Sequence, residues 1–313
     1  MKEAGGGGRA FRRPEFQISI FALFKLELGT WSLELSPPSM AEWIWCNGSL
    51  ITQDELRVSP FDRGFTVGLG LFETILAHDG QPIFLDRHLA RHAAGCLRLG
   101  WHELDPGWLA KGVHEVLRAN RLTHGRARVR LFQTAGRGTL ADLAQGDSAL
   151  TLVTTSALMP WPETISLTLS PWVRNERSPL AGLKCASYAE NLLALAAAKA
   201  RGFDEPLFLN TRDEICESAT ANVFIVKNGT LRTPSLASGC LPGIARDVVL
   251  SLAAEQGIPS VQTSLVLDDL LAAEELFLTS ALRGPIAITR FDSCHVQEGA
   301  ITRQLRRAWE GLR

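Results

Sequence analysis

The chain has almost no excess of one charge, because 32 Lys and Arg and 33 Asp and Glu leave a formal net charge of −1 at pH 7. An electrostatic attraction to nucleic acid or to an anionic membrane is therefore missing, and we expect neither as a partner. The six cysteines include no C-x-x-C pair, which argues against a zinc knuckle and a redox motif. Isolated cysteines are typical of a cytoplasmic protein, and the composition, 46% hydrophobic and 21% charged, is that of a globular one.

The N-terminal part of the chain lacks an apolar run long enough to span a membrane. Its apolar stretch, residues 16–24, ends at Lys25 and is less than half of what a spanning helix needs. A signal peptide is an alternative for this stretch, although no obvious small-residue cleavage site follows it. We interpret residues 1–39 as an extension, disordered or the product of a misassigned start codon, and Met40 as the functional beginning.

The remaining sequence predicts an α+β protein of two domains, residues 40–156 and residues 157–313. The first domain is marked by the turns Asn47-Gly48 and Asp79-Gly80, the helix N-cap Asp86 and the helix start Asp105-Pro106. A Pro-containing segment, Met159-Pro-Trp-Pro162, is the candidate linker. The second domain alternates strand patterns with helices, and no internal repeat follows Met40.

Lys184 is the most informative residue of the second domain. It lies just before a helix whose start is predicted by an S-x-x-E capping box, Ser187 and Glu190, and whose end is predicted at Gly202. A cation beside the positive end of a helix is disfavoured, which makes the neutral amine more accessible. A neutral amine is what an imine-forming lysine needs, whereas the ordinary alternative is a solvated loop lysine.

Further positions are candidates for the same site. Glu217 ends a strand pattern ahead of small residues, where a partly buried carboxylate needs a cationic partner. A Pro-Gly turn before Ile244 and Ala245 opens a helix whose first amides can bind a phosphate. Arg91, on a predicted helix, offers a guanidinium fork to phosphate oxygens. The ordinary alternatives are an exposed glutamate, a plain helix start and a solvated arginine.

Metal and dinucleotide sites are disfavoured. His88 and His92 share one helix face, but no third ligand is visible, so we predict no metal. Gly68-Leu-Gly70 lacks the third glycine and the βαβ setting of a dinucleotide loop.

Together, the lysine, the carboxylate, the arginine and the helix start resemble the class IV aminotransferase family, the fold-type IV pyridoxal-phosphate enzymes. The resemblance runs from Trp43 to the C terminus and rests on the order and spacing of the motifs. It implies a small α/β N-terminal domain and a larger C-terminal pseudo-barrel domain. It also implies a homodimer with its site at the subunit interface, and pyridoxal 5′-phosphate as the cofactor.

The resemblance implies a role for each candidate residue. Lys184 is the catalytic residue, which holds the cofactor as a Schiff base and moves protons. Glu217 pairs with the protonated pyridine nitrogen and keeps the ring an electron sink. The other cofactor-binding residues are Arg91, Ile244, Ala245 and Ser280 at the phosphate and Tyr188 near the phenolic oxygen.

Three activities share this scaffold: branched-chain aminotransferase, D-amino-acid aminotransferase and 4-amino-4-deoxychorismate lyase. The segments Thr279–Leu282 and Ser178–Lys184 are similar to lyase sequences, and Tyr188 follows Lys184 by four residues rather than by the five of branched-chain enzymes. We therefore expect a lyase that releases pyruvate and 4-aminobenzoate for folate synthesis. The alternative is an aminotransferase of branched-chain or D-amino acids, and a non-catalytic cofactor-binding protein is a minor one. For the lyase, the candidates for binding the two substrate carboxylates are Arg130, Arg137, Arg174 and Arg283.

Overall fold

The structure is a computed structural model that describes residues 43–312, so the interpretation of residues 1–39 and Met40 lies outside the described residues. The strands are β1 (Trp43–Cys46), β2 (Ser49–Thr52), β3 (Gly70–His78), β4 (Gln81–Pro82), β5 (Arg126–Thr134), β6 (Thr151–Ala157), β7 (Thr164–Leu169), β8 (Glu205–Leu209), β9 (Ile215–Ser218), β10 (Asn222–Lys227), β11 (Thr230–Pro234), β12 (Ser260–Thr263), β13 (Glu275–Ser280), β14 (Gly284–Phe291) and β15 (Cys294–His295). The α-helices are α1 (Arg63–Thr66), α2 (Leu85–Arg98), α3 (Pro106–Ala119), α4 (Ala189–Ala200), α5 (Ile244–Glu255), α6 (Leu267–Leu271) and α7 (Ala300–Glu310).

Six strands form an antiparallel sheet in the order β2-β1-β6-β5-β3-β4. Along β5, Ala127, Val129 and Leu131 are buried in an apolar cluster that includes side chains of α2 and α3. The packing is close, because a Cβ added at Gly112 of α3 would lie 2.5 Å from the ring of Trp45. Since side chains alternate along a strand, the arginines between the buried residues of β5 lie on the opposite face. That face is therefore available for a polar site.

The other strands form a mixed sheet in the order β12-β11-β10-β13-β14-β7-β8-β9, with β15 added beside β14. Three pairs, β11–β12, β7–β14 and β7–β8, are parallel, and the other pairs are antiparallel. In β10, Val223 and Ile225 pack into one apolar cluster, and Phe224 and Val226 pack into another with α5 and α7. A small sheet domain beside a curled mixed sheet is the predicted fold-type IV architecture, and this prediction is confirmed.

Several predicted elements are confirmed. β1 pairs with β2 around Asn47-Gly48, and β3 pairs with β4 around Asp79-Gly80. Helix α3 begins after its N-cap Asp105, whose side chain accepts the amide hydrogen of Trp108. The predicted N-cap Asp86 is wrong: α2 begins two residues earlier, at N-cap Phe84 with φ 55°, and Asp86 lies in its first turn.

The predicted capping box at α4 is also wrong. The N-cap of α4 is Tyr188, and no side chain caps it. The hydroxyl of Ser187 instead donates to the carbonyl oxygen of Gly68, and Glu190 accepts a hydrogen bond from Arg174. Both capping groups are therefore used in contacts with distant segments.

Among residues 43–312, no helix is long and apolar enough to cross a membrane. Within the same range, no group of three or more His, Cys, Asp or Glu residues is arranged to hold a metal ion. The domain boundary between residues 156 and 157 stays a prediction. It falls close to the end of β6 at Ala157, the last strand of the six-stranded sheet in sequence order.

Candidate active site

A cavity of about 650 Å³ is lined by residues of both sheets. The six-stranded sheet contributes residues of β3 and β5, and the mixed sheet contributes residues of β9, β10 and β13. The lining includes five arginines and one lysine but only two carboxylates, Glu190 and Glu217. A cavity of this size suits a small molecule, and its charge favours an anionic one.

The position of Lys184 is fixed by backbone pairing with β3. The amide of Phe72 donates to the carbonyl oxygen of Lys184 at 3.0 Å, and the amide of Ala186 donates to that of Gly70 at 2.8 Å. The Lys184 Nζ atom lies 4.4 Å from the centre of the Phe72 ring. Burial, and next the charge of Arg91, lower the pKa of Lys184 to about 8. A substantial neutral fraction near neutral pH is what a nucleophilic amine requires.

Glu217 lies on the same cavity wall, near the end of β9. Its Oε2 atom accepts a hydrogen bond from the amide of Leu241 at 2.9 Å, and its Oε1 atom lies 3.7 Å from Nη2 of Arg174. Burial raises the pKa of Glu217, and the charge of Arg174 opposes the rise. A buried carboxylate of this kind favours a protonated nitrogen as a neighbour.

Arg91 lies on α2 and is held from behind by Glu73. Its Nε and Nη2 atoms donate to the two carboxylate oxygens at 2.8 and 2.6 Å, and Nη1 donates to the carbonyl oxygen of Pro242 at 3.0 Å. His88 Nδ1 lies 2.7 Å from the same carboxylate. A guanidinium carries five N–H donors, so these contacts leave two for a ligand in the cavity.

Burial alone would raise the pKa of Glu73, but the charge of Arg91 and hydrogen bonds from His88 and Arg91 hold that pKa at about 2. Glu73 is therefore ionised and neutralises Arg91 at neutral pH. The sequence analysis did not predict Glu73 as a residue of the site. The available signal was a carboxylate in the middle of the apolar run of β3, where every neighbour is buried or nearly so.

The start of α5 has the predicted form of a phosphate site. Its N-cap, Gly243, offers no side-chain cap, so the first amides, those of Ile244 and Ala245, are donors without an intrahelical partner. A Cβ added at Gly243 would lie 2.0 Å from Oδ1 of Asn222, so only glycine fits here. These residues line the cavity.

Ser280 and Thr279, at the end of β13, line the same part of the cavity wall. Thr279 is 1% exposed, and within the described part of the chain its Oγ1 atom has no hydrogen-bond partner. A buried hydroxyl normally has a partner, so this one is available to a ligand or to a water molecule in the cavity. Sequence inspection identified Ser280 but not Thr279, because a threonine in a strand carries no sign of its partner.

Tyr188 lies close to Phe72, with ring centres 5.3 Å apart in an edge-to-face arrangement. Its hydroxyl donates to the carbonyl oxygen of Ala219 at 2.6 Å, and Asn191 Nδ2 donates to the same oxygen at 2.7 Å. If the Tyr188 hydroxyl turns towards a ligand, Asn191 still satisfies that carbonyl. Burial raises the pKa of Tyr188 to about 12, so the residue acts as a neutral donor.

The arginines predicted for the substrate are only partly brought together. Arg130, Arg174 and Arg283 line the cavity, but Arg137 does not. Arg174 pairs with Glu190 at 2.6 Å, and Arg283 pairs with the buried Glu205 at 3.2 Å. Arg137 lies in the loop after β5, 6.0 Å from the ring centre of Phe61.

The sequence profile of the family Amino-transferase class IV matches residues 70–291. A Methanocaldococcus jannaschii protein, provisionally named a branched-chain-amino-acid aminotransferase, is 32% identical over 283 residues, which are 86% of this chain and 96% of the relative. Aminodeoxychorismate lyase of Bacillus subtilis is 29% identical over 275 residues, 84% of this chain and 92% of the relative. The crystal structure of a branched-chain aminotransferase from Thermoproteus uzoniensis with norvaline aligns with a TM-score of 0.79 at 26% identity, and covers 86% of this chain and 93% of that one.

Proposed function

The chain belongs to the class IV aminotransferase family, and from that premise we propose that it is an aminotransferase that moves an amino group between an amino acid and a 2-oxo acid. The observation that carries the proposal is a single cavity lined by the half-buried Lys184, whose pKa is lowered, by Glu217 and by a phosphate-type helix start. Relatives named for aminotransferase activity support it over the lyase that the sequence motifs placed first.

The cofactor is pyridoxal 5′-phosphate, which supplies an aldehyde for the amine and a ring that withdraws electrons from the substrate carbon. The residues fit this group. The amides of Ile244 and Ala245, the two remaining donors of Arg91, and the unpartnered Thr279 hydroxyl beside Ser280 suit a phosphate. Glu217 suits the pyridine nitrogen, and Lys184 suits the aldehyde.

In this proposal Lys184 is the general base and acid of the reaction. Its neutral amine would take the proton from the substrate carbon and deliver it to the cofactor carbon that carried the aldehyde, and Phe72 beside Nζ keeps water away from the amine. Glu217 would hold a proton on the pyridine nitrogen by its charge. The Tyr188 hydroxyl, which donates to the carbonyl oxygen of Ala219, would be the donor to the phenolic oxygen of the bound cofactor.

The test is a half-reaction with purified holo-protein and single amino donors. Branched-chain L-amino acids, D-alanine and L-glutamate form the first panel. A donor that is a substrate releases one equivalent of 2-oxo acid per site and leaves pyridoxamine 5′-phosphate on the protein. Failure of every donor in a broad panel, with the cofactor bound, would falsify the proposal.

The lyase is the second candidate. It is favoured by the Bacillus subtilis relative and by a cavity lining rich in arginine, which suits a substrate with two carboxylates. Its assay is release of pyruvate and 4-aminobenzoate from 4-amino-4-deoxychorismate. Turnover without accumulation of pyridoxamine 5′-phosphate would establish it in place of the aminotransferase.

The proposal includes a homodimer, which is supported by an exposed apolar patch. Its members are Phe61, Phe65, Val67, Leu140 and Leu143, which are 49–85% exposed. The patch is formed by two neighbouring segments, residues 61–67 and residues 135–144. Asp62 forms a β-bridge with Arg137, and the Arg63 side chain donates to the carbonyl oxygens of Ala135 and Ala144. Apolar groups held rigidly at a surface are typical of a protein interface.

A further inference from the structure

Arg174 lies in the segment that follows β7, and its guanidinium group is held against the mixed sheet at the cavity wall. Its amide donates to the carbonyl oxygen of Leu209 at 2.7 Å, and its backbone forms a parallel bridge with Asn210. The guanidinium carbon lies 4.4 Å from the centre of the buried Phe208 ring. Because a guanidinium stacked on an aromatic ring has a defined orientation, Arg174 is a fixed positive charge in the cavity.

The Arg174 guanidinium contacts two carboxylates that differ in exposure. Its Nη1 atom donates to Glu190 at 2.6 Å and to Oδ1 of Asn191 at 3.3 Å, whereas its Nη2 atom lies 3.7 Å from Oε1 of Glu217. The Glu190 side chain is 57% exposed, but the Glu217 side chain is only 14% exposed. Water therefore screens the first pair much more than the second. Glu190 and Asn191 anchor the guanidinium, and its charge acts mainly on Glu217.

Glu217 is a buried carboxylate that needs a permanent cation beside it. Burial raises its pKa, and the charge of Arg174 is the largest opposing influence, ahead of the hydrogen bond from Leu241 and the charge of Lys184. Lys184 is the reacting amine of the proposed function, so its bonding changes during the reaction. An arginine stays protonated throughout. Arg174 is therefore the cation on which the charge state of Glu217 depends.

Three further titratable groups interact with Glu217, and each comes from a different element. They are Tyr188 at the N-cap of α4, Cys216 on β9 and Cys240 in the segment before α5. Burial raises the pKa of all three, so they are neutral at neutral pH. They do not replace the charge of Arg174.

The donors of Arg174 are poorly placed for a substrate carboxylate. Nη1 already has two acceptors, and Nε is buried. A guanidinium binds a carboxylate most strongly through two parallel N–H groups. Nη2, the donor that remains, lies beside Glu217, whose charge repels a second carboxylate.

We propose that Arg174 is a positioning residue that keeps the Glu217 carboxylate ionised for the ring nitrogen of the cofactor, and that it does not bind a substrate carboxylate. The inference rests on the role that the proposed function gives to Glu217, and it applies to an aminotransferase and to a lyase alike. The carboxylate and the ring nitrogen share one proton. With the charge of Arg174 beside the carboxylate, the proton stays on the nitrogen. Without that charge it moves to the carboxyl oxygen, because a buried pair then favours its neutral form.

The position of that proton can be measured directly in the holo-protein. Nitrogen NMR of protein loaded with pyridoxal 5′-phosphate that is isotope-labelled at the ring nitrogen separates a pyridinium from a neutral pyridine. The wild type should show the pyridinium at neutral pH. In Arg174→Gln the equilibrium should shift about 10-fold or more towards the neutral pyridine, which is the usual effect of removing an opposite charge at this distance. Turnover should fall with it, but by no more than in Glu217→Gln.

Rescue and control variants separate the charge of Arg174 from its packing. Arg174→Lys retains the charge and should keep most of the pyridinium signal. Arg174→Met is a second neutral variant, whose thioether also packs on the Phe208 ring, and it should give the same shift as Arg174→Gln. Arg201→Gln is the matched control, because Arg201 also lies over a phenylalanine ring and pairs with a carboxylate, Asp292, but does not line the cavity. It should leave the nitrogen signal unchanged.

Each outcome decides between roles. A pyridinium signal that survives in both neutral variants would overturn the inference and return Arg174 to the candidates for a substrate carboxylate. A neutral ring nitrogen in the wild type would overturn it together with the role of Glu217. A protonated nitrogen that depends on Arg174, in a protein that transaminates none of the donors, would retain the inference and reject the proposed function.

Discussion

At the scale of single residues, the lowered pKa of Lys184 has a direct kinetic consequence. Only the neutral amine captures the cofactor, and a pKa of about 8 leaves roughly a tenth of it neutral at pH 7 and half at pH 8. The rate at which apo-protein captures pyridoxal phosphate should rise about fivefold over that interval and level off above pH 9. Stopped-flow absorbance measures it, with N-acetyl-lysine as a reference whose rate keeps rising. A protein profile parallel to the reference would show that the cavity does not tune the amine.

Glu217 should act on turnover more than on binding. Glu217→Gln keeps the size of the side chain and the hydrogen bond from Leu241 but removes the charge beside the pyridine nitrogen. We expect the cofactor to remain bound and turnover to fall about 10²-fold, which corresponds to about 3 kcal/mol of transition-state stabilisation. Single-turnover rates at saturating donor measure this. A wild-type rate in the variant would exclude the role.

Glu73 should contribute to stability in a pH-dependent manner. Glu73→Gln leaves the buried side of Arg91 without its carboxylate, which costs roughly 3–5 kcal/mol of unfolding free energy at neutral pH. The pKa of about 2 lies below the ordinary 4.5, so this stability is present above pH 4.5 and is lost as the pH falls towards 2. Urea unfolding of the apo-protein at pH 7 and pH 3 should show the difference between wild type and variant shrinking by about 2 kcal/mol. A constant difference would mean that the charge of Glu73 is not responsible.

At the scale of elements, the start of α5 depends on a glycine that leaves no room for a side chain. In Gly243→Ala, the new Cβ would overlap Oδ1 of Asn222, whose Nδ2 atom donates to the carbonyl oxygen of Leu241. The first turn of α5 must shift, and cofactor affinity should fall about 10-fold or more, equivalent to 1.4 kcal/mol. Equilibrium dialysis measures the affinity. The double variant with Asn222→Ala should bind the cofactor more tightly than Gly243→Ala alone. Unchanged cofactor affinity in Gly243→Ala would show that the start of α5 does not bind the phosphate.

At the scale of the whole molecule, the exposed apolar patch around Phe65 should decide assembly. Phe65 is 72% exposed, so Phe65→Glu removes no packing from the chain itself but places a charge where a second copy would bury it. Sedimentation should show a dimer in the wild type and a monomer in Phe65→Glu, with an unchanged circular dichroism spectrum. Leu97→Glu, at another exposed apolar residue on α2, should remain dimeric. A dimeric Phe65→Glu protein would place the interface elsewhere.

Local signals in the sequence determined much of this site. A Pro-Gly turn predicts the start of α5, and Gly202 ends α4 in the left-handed conformation with φ 76°. The spacing of Lys184 and Glu217 is similar to that in one family. These features depend on neighbours within a few residues, and for that reason they can be recognised without coordinates. The capping box at Ser187 was wrong because Gly68 and Arg174, both distant in sequence, bind the two capping groups.

Only the tertiary structure decided which charges remain for a substrate. Glu73 neutralises Arg91 from 18 residues away in sequence, and Glu205 pairs with Arg283 from 78 residues away. The order of residues in the chain therefore could not show whether either arginine already has a carboxylate partner. The alternation of β5 placed Arg128 and Arg130 on its polar face, but only packing against the second sheet turned that face into a cavity wall. Electrostatic interactions depend on distance in space and on burial, and both are set by long-range contacts that a linear sequence does not display.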